Sequence, residues 1–357
     1  MGMPERPEEL LCYCRAGFER DLAAELAARA AVAGLGAYPR YEEGSGFVRF
    51  LPAGSSIQRV AEALPLEALV FARQRLPALE PLSGLPREDR LTPLVERVVA
   101  SGWTFERIWH ETPDTNAGKG LRRLGRALER PLESVFRKRG HLQPFADGRR
   151  LHCFWTRGDT VQPGLCAPGA CSDLPGGILR LRASRAAPSR SALKLEEAWH
   201  QFLPVGEWGQ RLAEGMTAVD LGAAPGGWTW QLMRRGMYVY AVDNGPMNAG
   251  LMATGQVEHH RADAFGWQPP APVNWLFCDI VDKPARVTAR IADWLVAGWC
   301  REAIFNLKLP MRQRWQTVED CLAHLRMRLE EAEAVHHLRA RQLYHDREEI
   351  TVHVRLE

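Results

Sequence analysis

Four charged residues stand at positions where strands and helices could bring them together. Asp279 follows one apolar run, Lys308 ends another, Glu349 opens the last, and Lys194 lies between leucines in a helical segment. A lysine at the end of an apolar strand is costly to bury unless charged or polar groups receive it, so we expect the four to satisfy one another. Burial and a second cation would lower the pKa of Lys308, and the carboxylates would limit that drop. A neutral amine held there could take a proton from a sugar hydroxyl.

Two simpler interpretations of this group remain open. Asp279 and Lys308 could form a buried ion pair with a purely structural role, because such pairs also shift pKa values. Glu349 could be an exposed strand residue, with Glu348 pointing inward instead. The order of the residues is compatible with both a reactive centre and a structural one.

A glycine-rich turn predicts a nucleoside-cofactor site. Residues 217–231 run from an apolar strand through this turn into a helix, and Asp243 follows the next apolar run, where a carboxylate commonly binds ribose hydroxyls. Side chains in place of Gly222, Gly226 and Gly227 would block the ligand. An ordinary tight turn between strand and helix is the alternative.

The spacing of the turn favours S-adenosylmethionine over a dinucleotide. Ala224 and Pro225 stand where the dinucleotide fingerprint has its second glycine. A dinucleotide needs a helix N-terminus that meets its pyrophosphate, whereas S-adenosylmethionine has no phosphate and needs no anion cradle. A nicotinamide enzyme is therefore the least favoured function.

Composition indicates an ordinary globular protein. The chain has 357 residues, 46% of them hydrophobic and 25% charged, which suffices for two or three domains. No apolar run approaches the length of a membrane span and the N-terminus lacks an apolar signal region, so we expect a cytoplasmic protein. The eight cysteines show no C-x-x-C spacing and are predicted to be reduced structural thiols, with no metal site.

Basic residues cluster in two tracts that suit a phosphate backbone. A solvated helix face is the alternative interpretation of either tract. The first tract comprises Lys119, Arg122, Arg123, Arg126, Arg130, Arg137, Lys138 and Arg139, and the second comprises Arg180, Arg182, Arg185 and Arg190.

The first half of the chain predicts two α+β units. Strands at 10–14, 40–43, 46–51 and 69–73 and helices at 18–33 and 57–64 give the order βαββαβ, the ferredoxin-like plan of many RNA-binding domains. Prolines 77, 81 and 86 are interpreted as a linker. The second unit has a helix at 90–101, a strand at 105–111, the basic segment 118–140, and strands at 151–155 and 160–165.

The remaining residues predict a mostly parallel, doubly wound sheet with a reversed last strand, that is, a Rossmann-like α/β domain. Ser191 is expected to cap its first helix. Strands are predicted at 217–221, 238–242, 273–278, 303–307, 337–343 and 349–355, and helices near 228–235, 285–298 and 312–332. The predicted domains are 1–75, 76–165 and 189–357, with a linker at 166–188.

The motifs together resemble a known family. The loop Asp-Leu-Gly-Ala-Ala-Pro-Gly-Gly-Trp at 220–228 and the four charged residues, in that order, are similar to the cofactor loop and Lys-Asp-Lys-Glu tetrad of FtsJ/RrmJ-type ribose 2′-O-methyltransferases. The whole chain is similar to the RlmM family of bacterial 23S rRNA cytidine 2′-O-ribose methyltransferases. The segments Leu-Val-Phe-Ala-Arg-Gln, Gly-Lys-Gly-Leu-Arg-Arg and Ala-Pro-Ser-Arg-Ser-Ala-Leu-Lys-Leu-Glu-Glu-Ala carry that similarity. It implies a ferredoxin-like domain and a THUMP RNA-binding domain ahead of the catalytic domain.

The resemblance also implies roles for residues. Lys308 would be the general base, with Lys194, Asp279 and Glu349 around it. S-adenosylmethionine would be the cofactor, and Asp263 would meet its adenine, although a lone aspartate is equally often a turn cap. The implied cofactor-binding residues are Ser191, Gly222, Ala223, Ala224, Pro225, Gly226, Gly227, Trp228, Asp243, Asp263 and Asp279; the implied RNA-binding residues are Lys119, Arg122, Arg123, Arg126, Arg182 and Arg190.

The implied partner is 23S rRNA or its precursor particle, with no membrane partner and a monomer as the default. Two other classes of function stay open. A small-molecule methyltransferase would share the cofactor loop but would need no arginine-rich N-terminal half. An inactive RNA-binding assembly factor would keep the basic tracts but would not need the four charged residues together.

Overall fold

The computed structural model describes residues 6–357, which fall into two compact units that divide between Ile178 and Leu179. No helix among these residues is long and apolar enough to cross a membrane. Each unit is built on a seven-stranded sheet with helices packed against it.

The first unit follows the predicted order of strands and helices. Its elements are β1 (Glu9–Tyr13), α1 (Glu19–Val32), β2 (Ala37–Arg40), β3 (Phe47–Pro52), α2 (Ile57–Ala63), β4 (Gln74–Ala78), α3 (Leu91–Ala100), β5 (Arg107–Glu111), α4 (Asn116–Lys138), β6 (Arg150–Arg157) and β7 (Thr160–Cys166). The strand order β2-β3-β1-β4-β7-β6-β5 makes one continuous sheet of the ferredoxin-like part and the part that follows it.

The join between the two parts differs from the sequence prediction. Residues 69–73 are not the fourth strand; β4 begins at Gln74 and includes Pro77, which the sequence assigned to a linker. Pro77 is tolerated because β4 pairs with β7 only at Ala78 and Gly164, so the strand is an edge on that side at the proline. The predicted hairpin strand at 40–43 is likewise displaced, since β2 ends at Arg40.

One prediction about the cysteines is wrong. Cys166 at the end of β7 forms a disulfide with Cys171, which closes a short loop. No sequence pattern indicates this disulfide, because the two cysteines are not in a C-x-x-C pair and become neighbours only through the turn at 167–170. The other six cysteines are free and buried, as expected of structural thiols.

The second unit has the predicted Rossmann-like plan. Its elements are α5 (Ala192–Phe202), α6 (Trp208–Arg211), β8 (Thr217–Leu221), α7 (Gly227–Arg234), β9 (Tyr238–Val242), α8 (Ala249–Met252), β10 (Val257–His260), β11 (Val273–Cys278), α9 (Pro284–Val296), β12 (Cys300–Lys308), α10 (Arg314–Glu331), β13 (His336–Arg341) and β14 (Glu349–Leu356). The strand order is β10-β9-β8-β11-β12-β14-β13.

The sheet of the second unit brings the ends of several strands to one edge. Strands β8 to β12 pair in parallel, and β14 pairs antiparallel with β12. The start of β14 therefore lies beside the ends of β11 and β12. A core that includes the buried Trp199, Trp275 and Phe277 packs α5 and α7 against the strands. The sequence missed β10, because its alternating residues include two histidines and a glutamate.

Candidate active site

The four predicted charged residues meet at the carboxyl edge of the second sheet. Asp279 follows β11, Lys308 is the last residue of β12, and Glu349 is the first residue of β14. Lys308 and Glu349 are direct partners in the β12–β14 register, so their side chains project from the same side of the sheet. Lys194 reaches the group from the first turn of α5.

The four side chains form a closed ring of ion pairs. Lys194 Nζ lies 3.3 Å from Asp279 and 2.6 Å from Glu349. Lys308 Nζ lies 2.5 Å from Asp279 and also contacts Glu349. All four are largely buried, with side-chain exposures between 6% and 21%. Two cations thus share two carboxylates, which fits the expectation that the residues satisfy one another.

The identity of the inward glutamate is clear. Glu349 is 5% exposed and belongs to the ring, whereas Glu348 is half exposed and pairs with Arg314 at 2.5 Å. The alternation of side chains along a strand separates these neighbours, because successive residues point to opposite faces.

A second layer of polar groups fixes the ring. Asn306 donates to Asp279 at 2.9 Å, and Thr351 donates to Asn306 at 2.8 Å. Behind them, burial and the nearby charge of Glu349 hold the pKa of Asp346 well above its usual range. Sequence reasoning missed Asn306 and Asp346, although Asn306 sits two residues before Lys308, where the period of a strand returns to the same face.

The proton state of Lys308 differs from the prediction. Burial lowers the pKa of Lys308, but the attraction of Asp279 and Glu349 outweighs burial and raises it above its usual value. The pKa of Asp279 moves down, because Lys308 and Lys194 overcome the effect of its burial. The expected decrease for Lys308 is wrong because each lysine is bound by two carboxylates at contact distance. In the free protein Lys308 therefore carries its proton.

The glycine-rich loop lies next to this ring, between β8 and α7. The carboxylate of Asp243 accepts hydrogen bonds from the amides of Ala224 at 3.0 Å and Gly245 at 2.7 Å, so it ties the loop after β8 to the loop after β9. Each carboxylate oxygen keeps further lone pairs for ribose hydroxyls.

The glycines of the loop are required by the protein itself. Gly222 and Gly226 have φ values of +79° and +112°, which disfavour side chains. A Cβ at Gly226 would lie 2.3 Å from Leu251, and one at Gly227 would lie 2.1 Å from the Ser191 hydroxyl. Side chains at Gly226 and Gly227 would therefore clash with protein atoms before they reached a ligand, which corrects the sequence-based expectation that they would block the ligand.

Sequence reasoning missed the carboxyl group beneath the loop. Asp220, the penultimate residue of β8, is buried and accepts a hydrogen bond from the Thr229 hydroxyl at 2.6 Å. Burial raises the pKa of Asp220 to about 7, which the Thr229 hydrogen bond partly opposes. Its other oxygen, Oδ1, is buried and has no hydrogen-bond partner among the described residues. A buried acceptor without a partner beside the loop fits a site that receives a donor from a bound molecule.

Two of the remaining predicted cofactor residues make hydrogen bonds within the protein. Ser191 stands at the start of α5 but makes no capping hydrogen bond; its hydroxyl contacts Ser189 at 2.6 Å, and its carbonyl accepts the Trp228 indole N–H at 3.0 Å. The prediction that Ser191 caps the helix is therefore wrong. Asp263 is exposed, and its Oδ1 accepts the Phe265 amide at 3.0 Å, so it also caps a turn.

Most of the first basic tract lies on one face of α4, which ends at Lys138, and Arg139 follows the helix. Lys119, Arg122, Arg123 and Arg126 are exposed, and the 3.6-residue period of a helix places them together. The opposite face packs apolar side chains into the core of the first unit, and Gly125 lets the helix approach His110 closely, since a Cβ there would lie 2.8 Å away.

The second basic tract is mostly coil and leads into α5. Arg182 and Arg190 are exposed and line a cleft of about 310 Å³ in the second unit. Arg234 in α7, which the sequence did not single out, lines the same cleft and lies 4.7 Å from the Trp230 ring.

Comparisons with known proteins agree across the chain. Family models match residues 8–76 (RlmM ferredoxin-like domain), 89–166 (ribosomal RNA large subunit methyltransferase M, N-terminal) and 187–291 (FtsJ-like methyltransferase). Similar relatives named ribosomal RNA large subunit methyltransferase M include one from Chromohalobacter salexigens, 59% identical over 98% of both chains. Another from Pectobacterium carotovorum is 47% identical over 97% of this chain and 96% of its own.

Among solved structures, a fibrillarin pre-rRNA processing protein from Methanococcus jannaschii is similar at 12% identity with a TM-score of 0.34. That match covers 56% of this chain and 80% of the other chain.

Proposed function

Because this chain belongs to the RlmM family of ribosomal RNA large subunit methyltransferases, we propose that it methylates the 2′-hydroxyl of a ribose, that of a cytidine, in 23S rRNA. The observation that carries the choice of a ribose hydroxyl is the ring of Lys194, Asp279, Lys308 and Glu349. A hydroxyl holds its proton too tightly to react without a base, and Lys308, once it is neutral, could accept that proton.

The cofactor in this proposal is S-adenosylmethionine, which when bound supplies the methyl group and the leaving sulfur for an in-line attack by the hydroxyl. Asp243 would hold its ribose, and the loop 222–228 would line it. Asp220 supports the fit, since its buried Oδ1 is a free acceptor for a donor group. Asp263, exposed beyond β10, would meet the adenine.

The ring controls the proton. With both lysines charged, the four groups sum to zero, so no member carries an uncompensated buried charge. A positive charge brought next to the ring lowers the pKa of Lys308 and favours its neutral form. Lys308 Nζ then takes the proton of the 2′-hydroxyl, while Lys194 and the positive charge beside the ring together balance the two carboxylates. Asp279 and Glu349 orient the amine through their contacts with Nζ.

The first unit supplies RNA affinity in this proposal. The face of α4 with Lys119, Arg122, Arg123 and Arg126 would contact phosphates, as would Arg182 and Arg190 in the second unit. We assign residues 76–165 to a THUMP-type role on the same ground. A small-molecule substrate would require none of these cations.

The substitution Lys308→Ala tests the role of the base. We expect transfer of labelled methyl groups to RNA that lacks the modification to fall by roughly 10²- to 10⁴-fold, because general-base catalysis contributes about that much. Binding of S-adenosylmethionine should persist. Arg301→Ala is the matched control, since Arg301 is exposed at the opposite end of the same strand.

Two results would contradict the proposal. Undiminished ribose methylation by Lys308→Ala would exclude Lys308 as the base. Methyl transfer by the wild type to a base rather than a ribose would exclude the 2′-hydroxyl as the target.

A further inference from the structure

A cleft of about 400 Å³ opens beside Lys308 within the second unit. It is lined by Lys283 and Pro284 before and at the start of α9, by Lys308 and Pro310 at the end of β12, and by Thr317 and Asp320 in α10. This volume lies within the range of small-molecule sites. Since the proposed base forms part of its wall, a ribose that offers its hydroxyl to Lys308 must place the rest of its nucleotide at or near this cleft.

The cleft is separate from the cofactor loop. The loop belongs to β8 and β9, whereas the cleft is built from the segments that follow β11 and β12, further along the sheet. The ring lies at the carboxyl ends of β11 and β12. A cofactor over the loop and a nucleotide in the cleft could therefore approach the ring without competing for the same residues.

The polar wall of the cleft accepts hydrogen bonds and has few donors to offer. The Thr317 hydroxyl donates to the Gln313 carbonyl at 3.0 Å, so toward the cleft it acts as an acceptor. Asp320 is exposed; its Oδ1 accepts the Gln316 amide at 2.8 Å, and its Oδ2 accepts no hydrogen bond from residues 6–357. Pro284 and Pro310 supply apolar surface against which a base can pack.

Lys283 is the remaining cation of the cleft. It is exposed and forms no ion pair within the described part of the chain, whereas its neighbour Asp282 pairs with Arg286 at 2.7 Å. An unpaired ammonium at the mouth of a cleft suits a phosphate.

We propose that this cleft holds the target nucleotide, with Asp320 selecting a base that carries an exocyclic amine and Lys283 contacting the adjacent phosphate. The proposal rests on the function proposed above and deepens it. A carboxylate accepts from the N4 amine of cytosine, the N6 amine of adenine or the N2 amine of guanine, but repels the O4 of uracil, which has no exocyclic amine. Thr317, as a second acceptor, adds to the same preference.

The test compares RNAs that carry C, U, A or G at the modified position. For the wild type we expect kcat/KM on C or A to exceed that on U by roughly 5- to 150-fold, the range of discrimination by one good base contact. Asp320→Asn should lose most of this preference, because its amide can also donate to uracil. Glu319→Gln, an exposed neighbour on α10 that does not line the cleft, is the matched control and should behave as the wild type.

A binding measurement separates this proposal from the proposed function. The same four RNAs are titrated into Lys308→Ala and Lys308→Ala/Asp320→Asn proteins, which report base preference without turnover. Loss of the preference with Asp320→Asn in both assays supports the proposal. Retention of the preference, or an equal loss on all four bases, overturns it. If instead the wild type methylates no ribose, the proposed function fails, whatever the binding data say about the cleft.

Discussion

Lys308 holds its proton in the free protein, although the proposed reaction requires its neutral form. Burial alone would lower its pKa, yet two carboxylates within contact distance raise it. A base that starts protonated must lose its proton before it can act. Lys308 therefore becomes reactive when a positive charge binds beside the ring, because that charge lowers the pKa of its amine and favours the neutral form.

The pH dependence of methyl transfer tests this link. At limiting concentrations of both substrates, kcat/KM should rise by about tenfold per pH unit from neutral pH to about pH 9, because the rate follows the small fraction of neutral Lys308 in the free protein. At saturating cofactor the rise of kcat/KM for RNA should occur at lower pH, because the positive charge of the bound cofactor lowers the pKa of Lys308. A rate that has already levelled off at neutral pH under limiting substrates would contradict the raised pKa. Arg301→Ala should reproduce the wild-type profile.

The raised pKa of Asp220 predicts how the stability of the protein changes with pH. Its pKa of about 7 in the folded protein exceeds the usual 3.8, so folding favours the neutral acid. The associated stability is complete below pH 3.8 and is lost as pH rises toward about 7. Between about pH 5 and pH 8 the free energy of unfolding of the wild type should fall, relative to Asp220→Asn, by roughly 2 to 3 kcal/mol.

Urea unfolding of the wild type and Asp220→Asn at the two pH values measures this difference. Asp293→Asn serves as the control, because Asp293 is an exposed residue of the same unit. If the difference in the free energy of unfolding between wild type and Asp220→Asn is the same at both pH values, Asp220 does not titrate between them and the raised pKa is contradicted.

At the scale of elements, the tetrad depends on one reversed strand. Had β14 run parallel to β12, Glu349 would lie at the far end of the sheet from Lys308; the antiparallel register makes the two residues partners. The sequence predicted this reversal and the residues at the strand ends, because apolar runs with a charge at one end are local signals. It assigned no role to Asn306, Asp346 and Asp220, because polar residues are rarely buried and no local pattern marks these three as buried.

Helix α4 is the element that carries the RNA prediction. Replacing Arg122, Arg123 and Arg126 together by glutamine should weaken RNA binding and reduce the slope of log Kd against log salt by up to about two, since each lost phosphate contact contributes about 0.7. Turnover of bound RNA should remain near that of the wild type. Equal losses of affinity and turnover would count against a binding role for this face.

The control for α4 removes the same charge from scattered positions. Arg20, Arg59 and Arg87 are exposed and lie on separate segments of the first unit, so their joint replacement by glutamine changes net charge equally. If this control lowers RNA affinity as much as the α4 variant does, the effect belongs to net charge and not to the helix face.

At the scale of the whole molecule, the sequence predicted the ferredoxin-like start and the FtsJ-like end, and the family matches confirm both. Local periodicity sufficed for these parts. It did not reveal that the first sheet continues through β4 and β7, because that pairing joins residues about 85 positions apart.

The position of the boundary between the two compact units also depends on contacts between residues that are distant in sequence. Segment 166–188 was interpreted as a linker, yet Ser172 is bound by Gln74 at 2.8 Å and Gly176 by Glu111 at 2.6 Å. These contacts attach the start of the segment to the first unit, which extends to Ile178.

Separation of the two units yields a prediction. A chain of residues 179–357 alone should bind S-adenosylmethionine, because the loop, Asp243 and the ring all lie within it. It should methylate RNA far more weakly than the full chain, since the α4 cations are missing. Circular dichroism verifies folding, and calorimetry measures cofactor binding. Full RNA methylation by the separate second unit would contradict the role of the first unit.

The chemical position of the transferred methyl group decides whether this protein is a ribose 2′-O-methyltransferase. RNA that lacks the modification is incubated with the protein and labelled S-adenosylmethionine, digested to nucleosides and analysed by mass spectrometry, with the site mapped by 2′-O-methyl-sensitive cleavage. We expect 2′-O-methylcytidine at a single position of 23S rRNA, absent with Lys308→Ala. A methyl group on a base, or incorporation unchanged in Lys308→Ala, would contradict it.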